Sequence, residues 1–483
     1  MASTQNMQAT TKTTKGRRKQ SSIPANTGKP RTKALLADTI GRSLCSRQSH
    51  SLSLTNKQVM DSRLTVPVHG LSPSLLSVPQ YGDQLTVRSP STASISSEAL
   101  TANSHDITPS CTSELIVNDE QDGPLPHDRI VGLHDTASAE IVERLAFEHG
   151  LASQMGLLDP SYQLFVNKAG TGALSFKVVH KIAVIMGDPL CEPHEIPELL
   201  KDFKEYRRRK RLGIAFLGAG KTVARYASRR NWAVLQFGAN RILNPQTNEI
   251  VLESAGKRIL TQNRQLLNPT KGGITLDIYT PSLRGADYKL QNQLGALYDE
   301  WRLARNTNNK PQAFITEYDP FLMPSLMTYI YSRDSHGTIN GFAALRWVGA
   351  NDGYHVDPCI AAPSAPRGIT DLLLFASMAY ARQLGISYLS VGYEPSESLL
   401  ELSGMPSSIA HLTDRLYRHT FQQLPLSGKK AYFEKFRPDV AQDSPIHLVF
   451  SSRVPSLRQA VAVTHVANIS LRSLFSRKLQ PHR

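Results

Sequence analysis

The sequence predicts a mixed α/β (α+β) protein made of two like units, each with a mixed sheet, behind a disordered N-terminal tail. Three observations predict it. From Gly353 to Pro395 the chain reads as a strand (Tyr354, His355, Val356) that breaks at Asp357-Pro358. A Pro- and Ala-rich loop follows, then a helix from Ile369 to about Gln383 that is apolar all round, and a second strand from Ile386 to Val391. A strand, helix, strand crossover makes its two strands parallel, with a right-handed connection. The same order occurs earlier. Gly187-Asp188-Pro189-Leu190-Cys191, a Pro-bounded loop, a helix and Gly213-Ile214-Ala215-Phe216-Leu217 echo Val356-Asp357-Pro358-Cys359, its loop, its helix and Gly385-Ile386-Ser387-Tyr388-Leu389. Finally, hairpin-like runs ahead of the second crossover require antiparallel pairs in the same sheet.

At 483 residues the chain has room for two or three domains of roughly 150 residues each. Its formal net charge of +15 and pI of 9.6 favour an anionic partner, nucleic acid or an acidic membrane surface. Cys45, Cys111, Cys191 and Cys359 stand far apart without a C-x-x-C pair, so neither a disulfide framework nor a zinc site is indicated and a reducing compartment fits. No apolar run reaches the roughly 18 residues of a membrane span, and the first residues lack the apolar core of a secretory signal. A cytoplasmic protein, soluble or peripheral on membranes, is expected.

In chain order, residues 1–125 are rich in Ser, Thr, Asn and Gln and read as a disordered basic tail, with Asp38 the first carboxylate. A mitochondrial transit peptide is the competing reading, but no amphipathic Arg helix is evident. The first unit, 126–273, holds a helix over Ser138–Phe147, strands at Gln163–Val166 and Leu174–Met186, an amphipathic helix over Glu195–Lys210, and strands at Leu212–Leu217 and Ala233–Phe237. A helical turn at Asn263–Leu267 leads on. The second unit, 274–453, holds a strand at Ile274–Tyr279, a helix over Ala286–Arg305, strands at Met327–Tyr331 and Phe342–Val348, and the crossover. A helix over Ser407–Gln423 and a strand at Ile446–Phe450 complete it. The basic C-terminal tail, 454–483, reads as either a membrane-surface amphipathic helix or a frayed end.

Several constellations carry chemistry. Ala215-Phe216-Leu217-Gly218-Ala219-Gly220-Lys221-Thr222 follows a strand and precedes a helical run, the setting of a phosphate-binding loop. Hairpins rather than parallel α/β units follow it, which argues against a nucleotide-binding sheet. No His-Glu-x-x-His or Cys/His cluster suggests a metal, and no Gly-x-Ser-x-Gly elbow suggests a serine hydrolase. His355 and Asp357 share one strand face. Asp357 can be a turn residue before Pro358, as the repeated Asp188 suggests, or a reactive carboxylate. Arg367 and Gly368 open a helix whose unpaired N–H groups suit an anion. Lys429, Lys430, Lys435 and Arg437, interleaved with Tyr432, Phe433 and Phe436, read as charged surface or as an RNA-end site. Arg207, Arg208 and Arg209 read as a solvated helix cap or a nucleic-acid contact.

From about Ser161 to Ser452 the chain resembles the catalytic part of phosphatidylglycerol lysyltransferases and their relatives. These are fused acetyltransferase-like (GNAT) domains that move an amino acid from aminoacyl-tRNA to a lipid hydroxyl. The resemblance rests on Tyr354-His355-Val356-Asp357 with Gly368-Ile369-Thr370-Asp371-Leu372-Leu373. It rests also on Gly385–Pro395, ending in Gly-x-x-Pro, and on Tyr432-Phe433-Glu434-Lys435-Phe436-Arg437-Pro438. It implies tandem GNAT domains, no cofactor, and catalytic roles for Asp357, His355 and Lys435. Arg367, Lys429, Lys430, Arg437, Arg207, Arg208 and Arg209 would bind tRNA, and Tyr354, Arg346, Glu394 and Phe436 would bind substrate. Where bacterial members have Leu-Met-Arg-Arg after the strand Asp, this chain has Pro358-Cys359-Ile360-Ala361. That run and Phe314–Pro320 (FITEYDP) look most like the fungal branch that esterifies ergosterol, and the freestanding members are similar to ergosteryl-glycine synthases. The implied partners are glycyl-tRNA and ergosterol or another membrane lipid, with phosphatidylglycerol as the rival acceptor.

Overall fold

The computed structural model describes residues 34–49, 130–131, 136–306, 319–422 and 427–469. Most of the expected tail, residues 314–318 of the FITEYDP run and residues 470–483 lie outside these. In chain order come α1 (Leu36–Ser49), β1 (Ile130–Val131), α2 (Thr136–His149), β2 (Gln163–Val166), β3 (Ala173–Val179), β4 (Ile182–Met186), α3 (Ile196–Arg209), β5 (Gly213–Ala219), α4 (Lys221–Ser228) and β6 (Ala233–Leu243). The second repeat adds α5 (Lys257–Leu267), β7 (Thr275–Tyr279), α6 (Tyr288–Asn306), β8 (Met327–Arg333), β9 (Ile339–Val348), β10 (Gly353–Ala361), α7 (Ile369–Gln383) and β11 (Leu389–Pro395). β12 (Glu401–Ser403), α8 (Ser407–Phe421), α9 (Ser427–Glu434), β13 (Ser444–Phe450) and α10 (Leu457–Val466) complete it.

These strands form one mixed sheet in the order β1-β2-β3-β4-β5-β13-β6-β11-β10-β9-β8-β7, with β12 beside β6. The two expected crossovers are both present: β4 pairs parallel with β5 around α3, and β10 pairs parallel with β11 around α7. What joins the repeats is an exchange. β6, the last strand of the first repeat, pairs with β11 of the second, while β13, the last of the second, pairs with β5 of the first. The two exchanged strands then pair with each other. Packing also assigns α5 to the second repeat, because Ile259, Leu260 and Leu266 share the core of α7.

α7 is apolar all round because it is covered on more than one side. Its residues from Leu372 to Ala381 are buried, and α1 packs on it with Ala37, Ile40 and Leu44. The expectation of disorder across residues 1–125 is therefore corrected at Leu36–Ser49. Ala37, Ile40, Gly41, Leu44 and Gln48 recur at helical spacing on one buried face. Gly41 permits the approach, since a Cβ there would meet the Ala379 carbonyl oxygen at 2.5 Å. A buried polar chain pins the helix end. Tyr380 donates to Gln48 Oε1 (2.9 Å), Gln48 Nε2 donates to Thr280 Oγ1 (3.1 Å), and Thr280 donates to Thr328 (3.1 Å).

Three further expectations are corrected. Leu174–Met186 is two strands, because His180 and Lys181 both take positive φ (51° and 61°) and turn the chain. β10 does not stop at Asp357: it runs on to Ala361 past a cis Asp357–Pro358 bond, with its register on β9 shifting between Val356 and Cys359. In the C-terminal stretch, α10 turns Ala462, Val463 and Val466 inward onto the first repeat. A capping box at Ser456 and Gln459 starts this helix, and Gln459 Nε2 donates to the Ile214 carbonyl (2.9 Å). Its buried face is thus covered by the protein itself rather than by a membrane. Among the described residues no helix is long and apolar enough to cross a membrane.

Candidate active site

The parallel pairing of β10 and β11 is short, confined to Tyr354 with Leu389 and His355 with Ser390. Beyond it β10 shifts register on β9 while β11 stays paired with β6, so the two strands are no longer joined past His355 and Ser390, and Gly392 lies just beyond their last pair. Alternation along β10 sends Tyr354 into the core, edge-on to Trp347, and His355 to the opposite face.

The protonation of His355 follows from its hydrogen bonds. Ser390 Oγ lies 2.6 Å from Asn240 Oδ1, to which it gives its only hydrogen, and it accepts from the Gly392 N–H at 3.1 Å. Its remaining lone pair takes a hydrogen from His355 Nδ1, 3.1 Å away. Nδ1 therefore carries the proton and Nε2 presents a lone pair. Among the described residues, Nε2 is buried without a hydrogen-bond partner. Burial, then Arg346 and Lys429, push the His355 pKa down to about 3, so the ring is neutral. Asn240 is fixed in turn by donating to Tyr388 OH (3.0 Å). It belongs to β6, so the exchanged strand of the first repeat supplies the support for the histidine of the second.

Lys429, on α9, comes to the same end of β11. A Cβ on Gly392 would lie 3.4 Å from His355 Cε1 and 3.9 Å from Lys429 Nζ, so both groups border the space that glycine leaves. Gly392 has φ of 90°, which side chains rarely adopt. Lys429 reaches solvent, yet the protein around its ammonium lowers its pKa, with Arg305 acting in the same direction and Asp357 and Glu394 opposing. Asp357 is half-buried beside this group. The arrangement combines a neutral imidazole acceptor, an ammonium donor and a carboxylate at the mouth of a splayed sheet.

The other predicted residues fall elsewhere. Lys435 is held by Asp371 (2.5 Å), on the first turn of α7, and lies over the Tyr432 ring (4.2 Å). Phe436 and Tyr354 are fully buried core residues. Arg346 is buried opposite His355 on β9 and donates to the Leu151 carbonyl (3.0 Å). Glu394 pairs with Arg241 of β6 (3.4 Å). Arg367, Lys430 and Arg437 are exposed. Arg207 donates to the Leu212 carbonyl (2.9 Å) at the end of α3, on the first repeat's core, with Arg208 and Arg209 exposed beside it. Cys359 donates to the Thr370 carbonyl, and burial pushes its pKa up to about 12, so it stays a thiol. Asn240, Ser390 and Gly392 were not singled out as site residues. The one sequence signal was a glycine inside a strand, which marks close approach.

The phosphate-loop reading fails for a local reason. Asp188 fills the start of α4 itself, accepting from the Gly220 N–H (2.7 Å), where a phosphate would sit. Burial pushes this carboxyl up to about 6 despite hydrogen bonds from the Gly220 and Val223 N–H groups. No cluster of His, Cys, Asp and Glu suited to a metal occurs among the described residues.

Fold and site together define a two-repeat mixed-sheet protein with a cluster of polar groups at its second crossover. The sequence profile of the phosphatidylglycerol lysyltransferase C-terminal family matches residues 142–444, and the chain belongs to that family. It is 24% identical over 234 residues to a lysylphosphatidylglycerol biosynthesis bifunctional protein of Rhodococcus jostii, and 24% identical over 236 residues to that of Rhodococcus opacus. Each alignment covers 48% of this chain and 20% of the relative, so the chain spans about a fifth of these curated proteins. Two solved structures share the fold: L-PGS of Bacillus licheniformis (TM-score 0.53) and the C-terminal domain of an Agrobacterium fabrum protein (TM-score 0.52). Both are 18% identical; each alignment covers 70% of this chain, and respectively 97% and 98% of theirs.

Proposed function

We propose that the protein is an aminoacyl-tRNA-dependent aminoacyltransferase that esterifies a lipid hydroxyl. The observation that carries this reading is the neutral His355, with its free Nε2 lone pair and the Lys429 ammonium bordering one space over Gly392. Aminoacyl-tRNA is already an activated ester, so the exchange requires no ATP. The lipid oxygen attacks the ester carbonyl carbon while its proton passes to His355 Nε2, with Asp357 as the alternative acceptor. The tetrahedral oxyanion is stabilised by Lys429. Collapse breaks the bond to the ribose oxygen, which takes the proton back, and the amino acid stays on the lipid.

Phosphatidylglycerol is the acceptor that the names of the family and its relatives carry, and it is the first reading. A sterol hydroxyl, esterified with glycine from glycyl-tRNA, is the second. It is favoured by Asp357-Pro358-Cys359-Ile360-Ala361, which places no arginine where the resemblance expects two. The test supplies purified protein with tRNA, one labelled amino acid and its synthetase, and either phosphatidylglycerol or ergosterol. RNase-sensitive label in one lipid extract is expected, reduced about 100-fold or more in Lys429→Ala and abolished in Asp357→Ala if that carboxylate takes the proton. No RNase-sensitive label with any lipid would falsify the proposal.

A further inference from the structure

α8 turns Ile409, Tyr417 and Phe421 toward the protein but leaves its two leucines outside. None of its residues is fully buried, and Leu412 and Leu416, one turn apart, are 55% and 58% exposed, with Leu400 nearby in sequence at 58%. Polar pins hold its inner side instead. Tyr417 OH donates to the carbonyls of Phe237 (3.1 Å) and Ser396 (2.8 Å), and Asp414 accepts from the Leu399 N–H (3.1 Å). Helical spacing places Arg415 and His419 beside the leucines, and Arg418, paired with Asp414 (2.8 Å), next to them. The one carboxylate of the helix is thus held on its inner side and by Arg418, while the outer face presents leucines beside Arg415.

We propose that this face of α8 rests on the surface of an anionic lipid bilayer, the leucines at the acyl boundary and the cations at the head groups. Charge selects the occupant. A second copy of the chain would bring the same cations against themselves across a twofold interface, whereas an acidic bilayer complements both the patch and a chain of net charge +15. Location connects the face to the site, and this step rests on the proposed transfer to lipid. Tyr417 grips Ser396 just past β11, four residues from Gly392, which at about 3.3 Å per residue is roughly 13 Å. α9, which carries Lys429, follows α8 in the chain. A bilayer against α8 brings a lipid hydroxyl toward the end of β11 that carries Gly392.

The test is flotation of the full chain with vesicles of phosphatidylcholine and phosphatidylserine, at ordinary and high salt, without tRNA. The variants are Leu412→Glu with Leu416→Glu, and the apolar control Leu412→Phe with Leu416→Phe. Melting temperature and solution mass are measured for each. Binding weakened at least tenfold in the Glu variant and retained in the Phe variant, at unchanged mass and melting temperature, supports the proposal. Equal binding by both variants, or binding that salt removes without regard to the leucines, overturns it. A dimer that only the Glu variant dissociates, with vesicle binding unchanged, overturns it in favour of a second copy. Transfer to detergent-dispersed lipid is assayed separately, so loss of the surface and failure of the transfer reaction are told apart.

Discussion

His355 sets the pH behaviour of the site. Its pKa is held at about 3 in the folded chain against an ordinary 6.5, so if it is the acceptor of the hydroxyl proton, the acid limb of kcat/KM falls below about pH 5. A limb near pH 6 to 7 would remove it from that role. The same group acts on stability. The unfolded chain binds the proton first, so the stability tied to neutral His355 is complete above about pH 6.5 and is lost as pH falls toward 3. His355→Gln should flatten that part of a stability-against-pH curve measured by denaturant titration. At Gly392 an added Cβ meets φ of 90° and comes into contact with His355 and Lys429. Gly392→Ala is expected to lower stability by about 1–2 kcal/mol and the transfer rate by more than that loss explains, read from denaturant midpoints and initial rates. In the sequence His355 and Asp357 stand out as polar residues on an otherwise apolar crossover, and Lys429 as part of a basic and aromatic stretch. Ser390 and Asn240 were not, because a Ser or Asn within a strand has no pattern until the partner across the sheet is known.

The elements differ in how openly the sequence declares them. α7 and its twin α3 were readable from periodicity, and Ile369–Gln383 has the expected bounds. α1 carried its apolar spacing in plain view, but a surrounding run of Ser, Thr and basic residues hid it, since composition describes a whole segment and burial is decided by a few positions. Leu44 is buried against α7, so Leu44→Ala should cost roughly 2–5 kcal/mol in denaturant unfolding; a neutral result would detach α1 from the fold. The β3–β4 turn escaped notice because His180-Lys181 is not the Asn-Gly that such turns prefer. At the first crossover, Asp188 binds a proton more tightly in the folded chain, about 6 against 3.8. Stability from this group falls as pH rises from about 4 to 6 and stays lower above that. Asp188→Asn keeps an oxygen for the Gly220 N–H and should gain on the order of 1 kcal/mol at pH 7.5, with little change at pH 4.

At the scale of the molecule, the duplication could be read from sequence, and the exchange of last strands could not. Nothing local in Ala233–Leu243 or Ser444–Phe450 says which repeat each will join. The exchange makes the repeats interdependent, so a single unfolding transition is expected. Variants that keep only Trp232, in the first repeat, or only Trp347, in the second, should report the same midpoint by fluorescence; separated midpoints would show independent domains. The exchange also has a consequence in time. Ala215 waits for Phe450, so a nascent chain emerging from the ribosome carries an open sheet edge until β13 has been made. A premature stop ahead of β13 leaves that edge permanently bare, and truncated products are expected to clump or to be held by chaperones rather than persist as folded halves.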